Sequence, residues 1–302
     1  MGALRWPGTP HEPFGYCHHV LADVTHFLLC PVCRGPFRHG GSALVCPAGH
    51  SFDIARQGHV NLITGRAAAR GGDTAAMVDA RDRFLSGGHY EPLADLLAAR
   101  ARQAISDLAG DVCVLDAGAG TGYYLARVLD ACPGTPGIAL DAAKHAARRA
   151  ARAHPRIGAV VADVWERFPV RSAVAGAAVV VFAPRNPAEL HRVLNGRGRL
   201  IVVTPAPRHL AEIIEPLGLL RVDDNKAEQL SARLGPFFSQ VSEETLERRL
   251  LLPEPGLRQL AMMGPSAWHT SPGQLDERIS GLGSPVAVTG AFTISIHRPV
   301  AG

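Results

Sequence analysis

Between residues 111 and 210, short apolar runs alternate with stretches whose apolar residues recur every three or four positions, the pattern of strands followed by amphipathic helices. DVCVLD opens the series at 111–116 and passes through a glycine-rich turn into a helix ending near 129. PGIALD (136–141), AVVAD (159–163), AAVVVFAPRN (177–186) and GRLIVVTPAPRHL (198–210) predict four further strands, the last two running into Pro-bearing loops. Upstream, 76–108 has a helical period that breaks near GGHYEP at 87–92. Downstream, strand-like runs at about 236–252 and 286–298 form a hairpin-related pair around a helical insertion containing MMGPSAWH (262–269). The succession predicts an α/β domain over 111–302.

The front of the chain follows neither period. Residues 1–27 read as a loose N-terminal extension with a short helix at 20–27. Residues 61–110 read as a linker and helical segment, with the Arg-, Gly- and Ala-rich stretch at 54–75 as a mobile linker. Between them, LLCPVCRGPFRHGGSALVCPAGHSFD (28–53) sets Cys30 and Cys33 as a CxxC pair and Cys46 and His50 as a C-x3-H pair. Two turns that each offer two ligands can close a tetrahedral shell around Zn2+, with Pro31, Gly35, Pro47 and Gly49 supplying the turns. All four positions are filled by protein, so the site is structural, and 28–60 reads as a small zinc-knuckle domain.

Composition narrows the class. The 302 residues are 47% hydrophobic and 19% charged, as in a globular protein rather than a disordered one. No apolar run reaches membrane-spanning length and no basic segment leads into an apolar core at the start, so a cytoplasmic location is expected. Three cysteines belong to the knuckle and Cys17, Cys113 and Cys132 stand singly, in keeping with a reducing compartment. The net charge of +4 permits an acidic partner without requiring one. Lys occurs only at 144 and 226, and a coding bias toward Arg explains this as well as a need for forked phosphate contacts.

In 111–129, Asp116 precedes glycines at 118, 120 and 122, where backbone can approach a ligand at a strand-to-helix turn. D-A-G-A-G-T-G resembles the first motif of class I S-adenosylmethionine-dependent methyltransferases more than the G-x-G-x-x-G of dinucleotide enzymes. Two more strands end in acids. Asp141 is placed to accept both ribose hydroxyls of an adenosyl group, and Asp163 stands where that family contacts adenine. Each alone could be a helix N-cap. The resemblance implies a Rossmann-like seven-strand sheet whose last strand is antiparallel, with the loops after the fourth and fifth strands flanking the methyl group and its acceptor.

A more specific likeness extends from about residue 28 to the C-terminus. The knuckle ending CPAGHSFD, then GHVNL, MVDARDRFLSGGHYEPL, DAGAGTGYY, FAPRN, TPAPRHL and KAEQL are similar to the RlmA-type 23S rRNA guanine-N1-methyltransferases. The Arg-rich character and the N-terminal extension bring the chain nearest the macrolide-resistance members from actinomycetes that resist tylosin. Methyl transfer from S-adenosylmethionine to N1 of one guanine in a 23S rRNA hairpin loop of the peptide exit tunnel is implied. The resemblance also makes Tyr90, Gly120, Thr121 and His209 cofactor contacts, although by themselves Tyr90 would pass for a packed aromatic and His209 for a helix-start cap. The residue after the proline in FAPRN differs from that in some relatives and leaves that loop's role in target choice open.

Transfer from a sulfonium is an in-line displacement, so alignment dominates. Guanine N1 must also lose its proton; Asp163, His191 and His209 are candidate acceptors and the sequence assigns no catalytic base. For RNA, Arg34, Arg38 and His39 of the knuckle and the linker residues Arg56, Arg66 and Arg70 are candidate contacts. Lys144, Arg148, Arg152 and Arg156 recur at helical spacing and fit a solvated face or an RNA surface. A homodimer sharing the hairpin is compatible with the sequence. Two other functions remain open: a small-molecule methyltransferase acting on a macrolide, and a non-catalytic RNA-binding protein on the same fold.

Overall fold

A computed structural model describes residues 16–64, 72–220, 226–268 and 271–300. The N-terminal part contains helix α1 (Tyr16–Thr25) and the strands β1 (Arg38–His39), β2 (Ala43–Val45), β3 (Ser51–Asp53) and β4 (His59–Asn61). Next come α2 (Ala75–Ser86), α3 (Glu91–Ile105), β5 (Cys113–Ala117), α4 (Tyr123–Ala131), β6 (Gly137–Asp141), α5 (Lys144–Ala153), β7 (Ile157–Val161), β8 (Ala175–Val181), α6 (Pro187–Val193) and β9 (Leu194–Pro205). The remainder is α7 (Ala211–Leu217), α8 (Lys226–Leu234), β10 (Phe238–Leu252), α9 (Glu254–Met262), a 3-10 turn (Pro265–Trp268), α10 (Pro272–Ser280) and β11 (Val286–Pro299).

An eight-stranded sheet runs β10-β11-β9-β8-β5-β6-β7-β4. β11 is antiparallel to both of its neighbours, and β4 through β9 are parallel. Helices cover both faces, so β5, β7 and β8 are buried along their whole length and read as unbroken apolar runs. Successive residues alternate between two cores. Val114, Val179 and Ile201 face α3, α4, α7 and α9, whereas Leu115, Val180 and Val202 face α1, α6 and the N-terminal strands.

The expected seven-strand sheet therefore gains an eighth, because β4 pairs in parallel with β7 at His59–Ala159 and Asn61–Val161. This corrects two expectations. Residues 54–64 are no mobile linker, and the domain boundary at 60 falls inside a strand of the main sheet. The knuckle is likewise not a separate body: Cys30, Phe37, Leu44, Cys46 and Ile54 share one apolar core with Leu115, Leu140 and Phe168. Of the expected loose extension over 1–27, residues 1–15 lie outside the described residues, and residues 16–27 are not loose. The helix spans 16–25 rather than 20–27, its Leu21 and Val24 are fully buried, and Val24 occupies the space that any side chain at Gly158 would need.

Local signals fix the helices around the sheet. The Thr74 side chain caps α2 by accepting from the Met77 amide at 3.2 Å. Pro92 stands in the first turn of α3, which buries Leu93, Ala94, Leu97, Ala98 and Ala101. In α5 the alanines at 146, 147, 150 and 151 are buried, Lys144, Arg148 and Arg152 face outward, and Arg149 pairs with Asp79 and Asp82 of α2. Among the described residues no helix is long and apolar enough to cross a membrane.

Candidate functional site

Parallel register brings the carboxyl ends of β5, β6 and β7 side by side, with Ala117 opposite Leu140 and Asp141 opposite Val161. A cleft opens beyond them, at the place where open α/β sheets hold ligands. Its walls come from the turn after β5, the loops after β6, β7 and β8, the segment leading into α2, and Arg81 and Leu85 in the second half of that helix. Gly118 has φ +84°, and a Cβ there would overlap Ala183 of the β8 loop. Gly122 has φ +79° and lies so close to α5 that a Cβ would stand 2.9 Å from the Ala150 Cα. The glycines thus do two jobs: 118 and 120 leave the cleft open, and 122 lets α4 start against α5.

Asp116 forms the floor. It is 1% exposed and its Oδ1 has no hydrogen-bond partner. Burial, and then the neighbouring Asp141, pushes its carboxyl up to about 8. Asp141 accepts from the Gly120 amide through Oδ2 and from the Ala143 amide through Oδ1, both at 2.8 Å. Burial still raises its pKa in spite of those two bonds. Each oxygen retains a second lone pair for a ligand hydroxyl. Asp163, two residues past β7, accepts from the Trp165 amide at 2.9 Å and lines the same cleft. The buried Tyr124 hydroxyl beside them is also unpartnered. Unsatisfied buried oxygens cost stability unless something meets them. A cationic ligand with donor hydroxyls meets this set, and S-adenosylmethionine, with its sulfonium, ammonium and ribose diol, has that chemistry.

Of the expected cofactor residues, Tyr90, Asp116, Gly118, Gly120, Thr121, Asp141 and Asp163 line the cleft. Gly122 and His209 do not. His209 sits behind Tyr90, with its Nε2 3.5 Å from the tyrosine oxygen and its Nδ1 accepting from the Ala291 amide at 3.2 Å. With Nδ1 an acceptor, a neutral ring carries its proton on Nε2, toward Tyr90. The two form an aromatic group with Phe182 and Phe292, whose rings lie 4.8–6.5 Å apart. His191 is elsewhere: its Nε2 lies 3.0 Å from the Val300 carbonyl and its ring packs on Phe237 and Phe238. That position removes it as a proton acceptor.

The structure adds residues that the sequence reading passed over. Arg81 of α2 pairs with Asp73 and donates to the Met263 carbonyl at 2.7 Å, closing one side of the cleft. Trp165 and Phe182 stand at the mouth, 50% and 41% exposed, which is unusual for side chains of this size. Phe182 also has φ +53°, a conformation a bulky residue seldom takes. Arg81 lay in view within MVDARDRFL, but nothing local in that stretch shows where α2 docks.

The second site is the knuckle. Cys30, Cys33, Cys46 and His50 bring their ligand atoms within 4.8 Å of one another. Cys33 Sγ to Cys46 Sγ is 3.5 Å, and His50 Nδ1 is 3.3 Å from Cys46 Sγ and 3.6 Å from Cys30 Sγ. Tetrahedral Zn2+ bonds of ordinary length separate two sulfurs by roughly 3.8 Å and a sulfur from a nitrogen by roughly 3.6 Å. The set fits zinc, and the described cysteines form no disulfide.

The expected RNA contacts divide. Arg34 is turned inward, its Nη2 donating to the Phe168 carbonyl at 3.0 Å and so tying the knuckle to the main body. Arg38 and Arg56 are exposed, and His39 is half-buried. Arg66 and Arg70 lie outside the described residues. Along α5, Lys144, Arg148 and Arg152 are exposed. Arg156 falls beyond the helix and donates to the carbonyls of Cys132 and Thr135, at 2.7 and 2.6 Å, and to that of Leu129. It closes the end of α4 and takes no part in the basic face.

Known proteins share these features. Residues 28–65 match the family model described as RlmA, N-terminal, a zinc ribbon. A 23S rRNA (guanine(748)-N(1))-methyltransferase of Streptomyces fradiae is 46% identical over 278 residues, which is 92% of this chain and 99% of that protein. A Micromonospora griseorubida protein, named provisionally as a 23S rRNA (guanine-N(1)-)-methyltransferase, is 48% identical over 293 residues, again 92% and 99% of the two chains. A solved geranyl diphosphate methyltransferase with SAM is alike in outline only, at 12% identity and a TM-score of 0.44 over 78% of this chain and 94% of that one.

Proposed function

The chain belongs to the 23S rRNA (guanine-N1)-methyltransferase family, and from that premise we propose that it methylates N1 of one guanine in a 23S rRNA hairpin loop at the peptide exit tunnel, the counterpart of the guanine 748 for which its Streptomyces fradiae relative is named. The observation that carries the reading is the floor of the cleft, where the buried, unpaired Asp116 meets Asp141 beyond the ends of parallel strands.

S-adenosylmethionine supplies an electrophilic methyl carbon on a sulfonium when bound. The protein's part is chiefly placement. Asp116 and Asp141 offer negative charge to a cation, Asp141 and Asp163 offer oxygens to hydroxyl and amino groups, and the open backbone at Gly118 and Gly120 admits the ligand. Tyr90 closes the inner wall and is held by His209. Phe182 and Trp165 at the mouth present rings on which an unstacked guanine can lie, and a hairpin loop releases a base at small cost. Cys30, Cys33, Cys46 and His50 hold the structural Zn2+, which fixes the turn carrying Arg34 and with it the docking of the ribbon on Phe168.

A methyl group on that loop obstructs macrolides of the tylosin type, so resistance belongs to the proposal. So does a homodimer, for which support comes from the edge strand β10, with Val241 and Leu251 exposed. Expression in a macrolide-sensitive bacterium lacking the modification is the test. Reverse transcriptase should stop one nucleotide before the target guanine, and growth in tylosin should follow. Full read-through across the loop would reject the target.

A further inference from the structure

Beside the cofactor cleft lies a second, smaller cavity, and Trp165 and Pro184 belong to the walls of both. Arg185, from the loop after β8, and Arg233, from the last turn of α8, line it together. The Arg185 guanidinium is partly buried, and its Nε has no hydrogen-bond partner. Burial and the facing Arg233 together push its pKa below the usual arginine value.

Several partly buried arginines of this fold are matched by carboxylates, and Arg34 and Arg156 by backbone carbonyls. Arg192 pairs with Glu189, Arg100 with Glu244, and Arg149 with Asp79 and Asp82. None of the ion pairs found among the described residues includes Arg185 or Arg233. Two cations that share a cavity with no carboxylate in its described lining repel each other, and the partly buried Arg185 also loses hydration, a cost that an anion seated between them removes.

The cavity is also held in place relative to the cleft. Asn186 donates from Nδ2 to the carbonyls of Trp165, at 3.0 Å, and Glu166, at 3.3 Å, and its Oδ1 caps α6 by accepting from the Glu189 amide at 3.3 Å. One side chain thus ties the loop carrying Arg185 to the loop carrying Trp165, with prolines at 184 and 187 stiffening the connection.

We infer that the Arg185–Arg233 cavity seats one phosphodiester of the RNA strand, adjacent to the nucleotide whose base enters the cofactor cleft. A forked guanidinium matches two phosphate oxygens, and the shared wall at Trp165 puts the anion within a nucleotide's reach of the methyl-transfer site. The inference rests on the RNA-methylating reading above and gives it an anchor for the strand.

The test uses a synthetic target hairpin, unmodified or with one uncharged methylphosphonate at a time at the linkages flanking the target guanine. Arg185→Gln and Arg233→Gln should each raise KM for the unmodified hairpin roughly tenfold. The salt dependence of RNA binding should fall by about 0.7 in its log–log slope, and the Kd for S-adenosylmethionine should stay at the wild-type value. R185K, which keeps the charge but not the fork, should recover part of the loss. At one linkage the methylphosphonate should weaken wild type as much as R185Q does and leave R185Q no weaker. Penalties that add at every flanking linkage, or R185Q binding RNA as tightly as wild type, would overturn the inference. If wild-type protein binds the cofactor yet leaves the unmodified hairpin unmethylated, the functional reading fails instead.

Discussion

Replacing Asp116 with Asn probes the charge state of the cleft floor. With its carboxyl at about 8 in the ligand-free protein, about nine-tenths of the molecules carry a protonated Asp116 at pH 7. A bound sulfonium and ammonium favour the ionised form, so cofactor binding should expel up to about one proton per site. Calorimetric titrations at pH 7 in phosphate and in Tris read this directly, because the apparent enthalpy shifts by the released protons times the buffer's ionisation enthalpy. Asp141 is raised as well, so the comparison with D116N carries the assignment. The variant should bind more weakly and lose most of the proton release. Stability gives a second reading. A carboxyl whose folded pKa lies above its unfolded 3.8 stabilises the fold fully below that value, and the contribution is lost as pH rises toward 8. The whole shift corresponds to about 6 kcal/mol as an upper limit, and the part between pH 6 and 8 to about 2–3 kcal/mol. Ligand-free D116N should therefore gain on wild type across that interval in denaturant titrations. No proton release by wild type, or the same release by D116N, would refute the reasoning.

Removing zinc with a chelator, or replacing Cys46 with Ala, should lower the melting temperature of the whole chain in one transition, because Cys30 and Cys46 share a core with Leu115 and Leu140; metal analysis with scanning calorimetry checks it, and an unshifted transition in metal-free protein contradicts it. Gly118→Ala should weaken cofactor binding by about fivefold or more, since φ +84° and the overlap with Ala183 together cost about 1–3 kcal/mol, as read by calorimetric titration. Arg156→Ala should destabilise the fold by about 2–4 kcal/mol through the three carbonyls it leaves bare, without changing the Kd for RNA. The reverse outcome, weaker RNA binding at unchanged stability, would return Arg156 to the basic face.

What could be read from the sequence was what short-range pattern encodes. The strand period placed Asp116, Asp141 and Asp163 at adjoining strand ends, and the C-x2-C and C-x3-H spacings brought four ligand atoms together. What escaped it depends on long-range docking. β4 is only three residues long, and its partner β7 lies about a hundred positions further on, so a stretch that looked like linker completes the sheet. Arg34 and Arg156 looked like surface cations because helical or turn spacing says nothing about carbonyls elsewhere in the fold. Arg156 fails for a local reason too, since Pro155 ends the helix before it. Arg81, Trp165 and Phe182 belong to the cleft only through the way α2 and two loops close over the strand ends.

Methyl transfer is the central claim, and its most direct measurement is mass spectrometry of nuclease fragments of 23S rRNA incubated with the protein and isotopically labelled S-adenosylmethionine. One labelled guanine in the exit-tunnel hairpin, blocked to reverse transcriptase as an N1-methyl base is, and label lost with D116N, is the predicted result. RNA that stays unlabelled while the protein binds the cofactor would contradict the account.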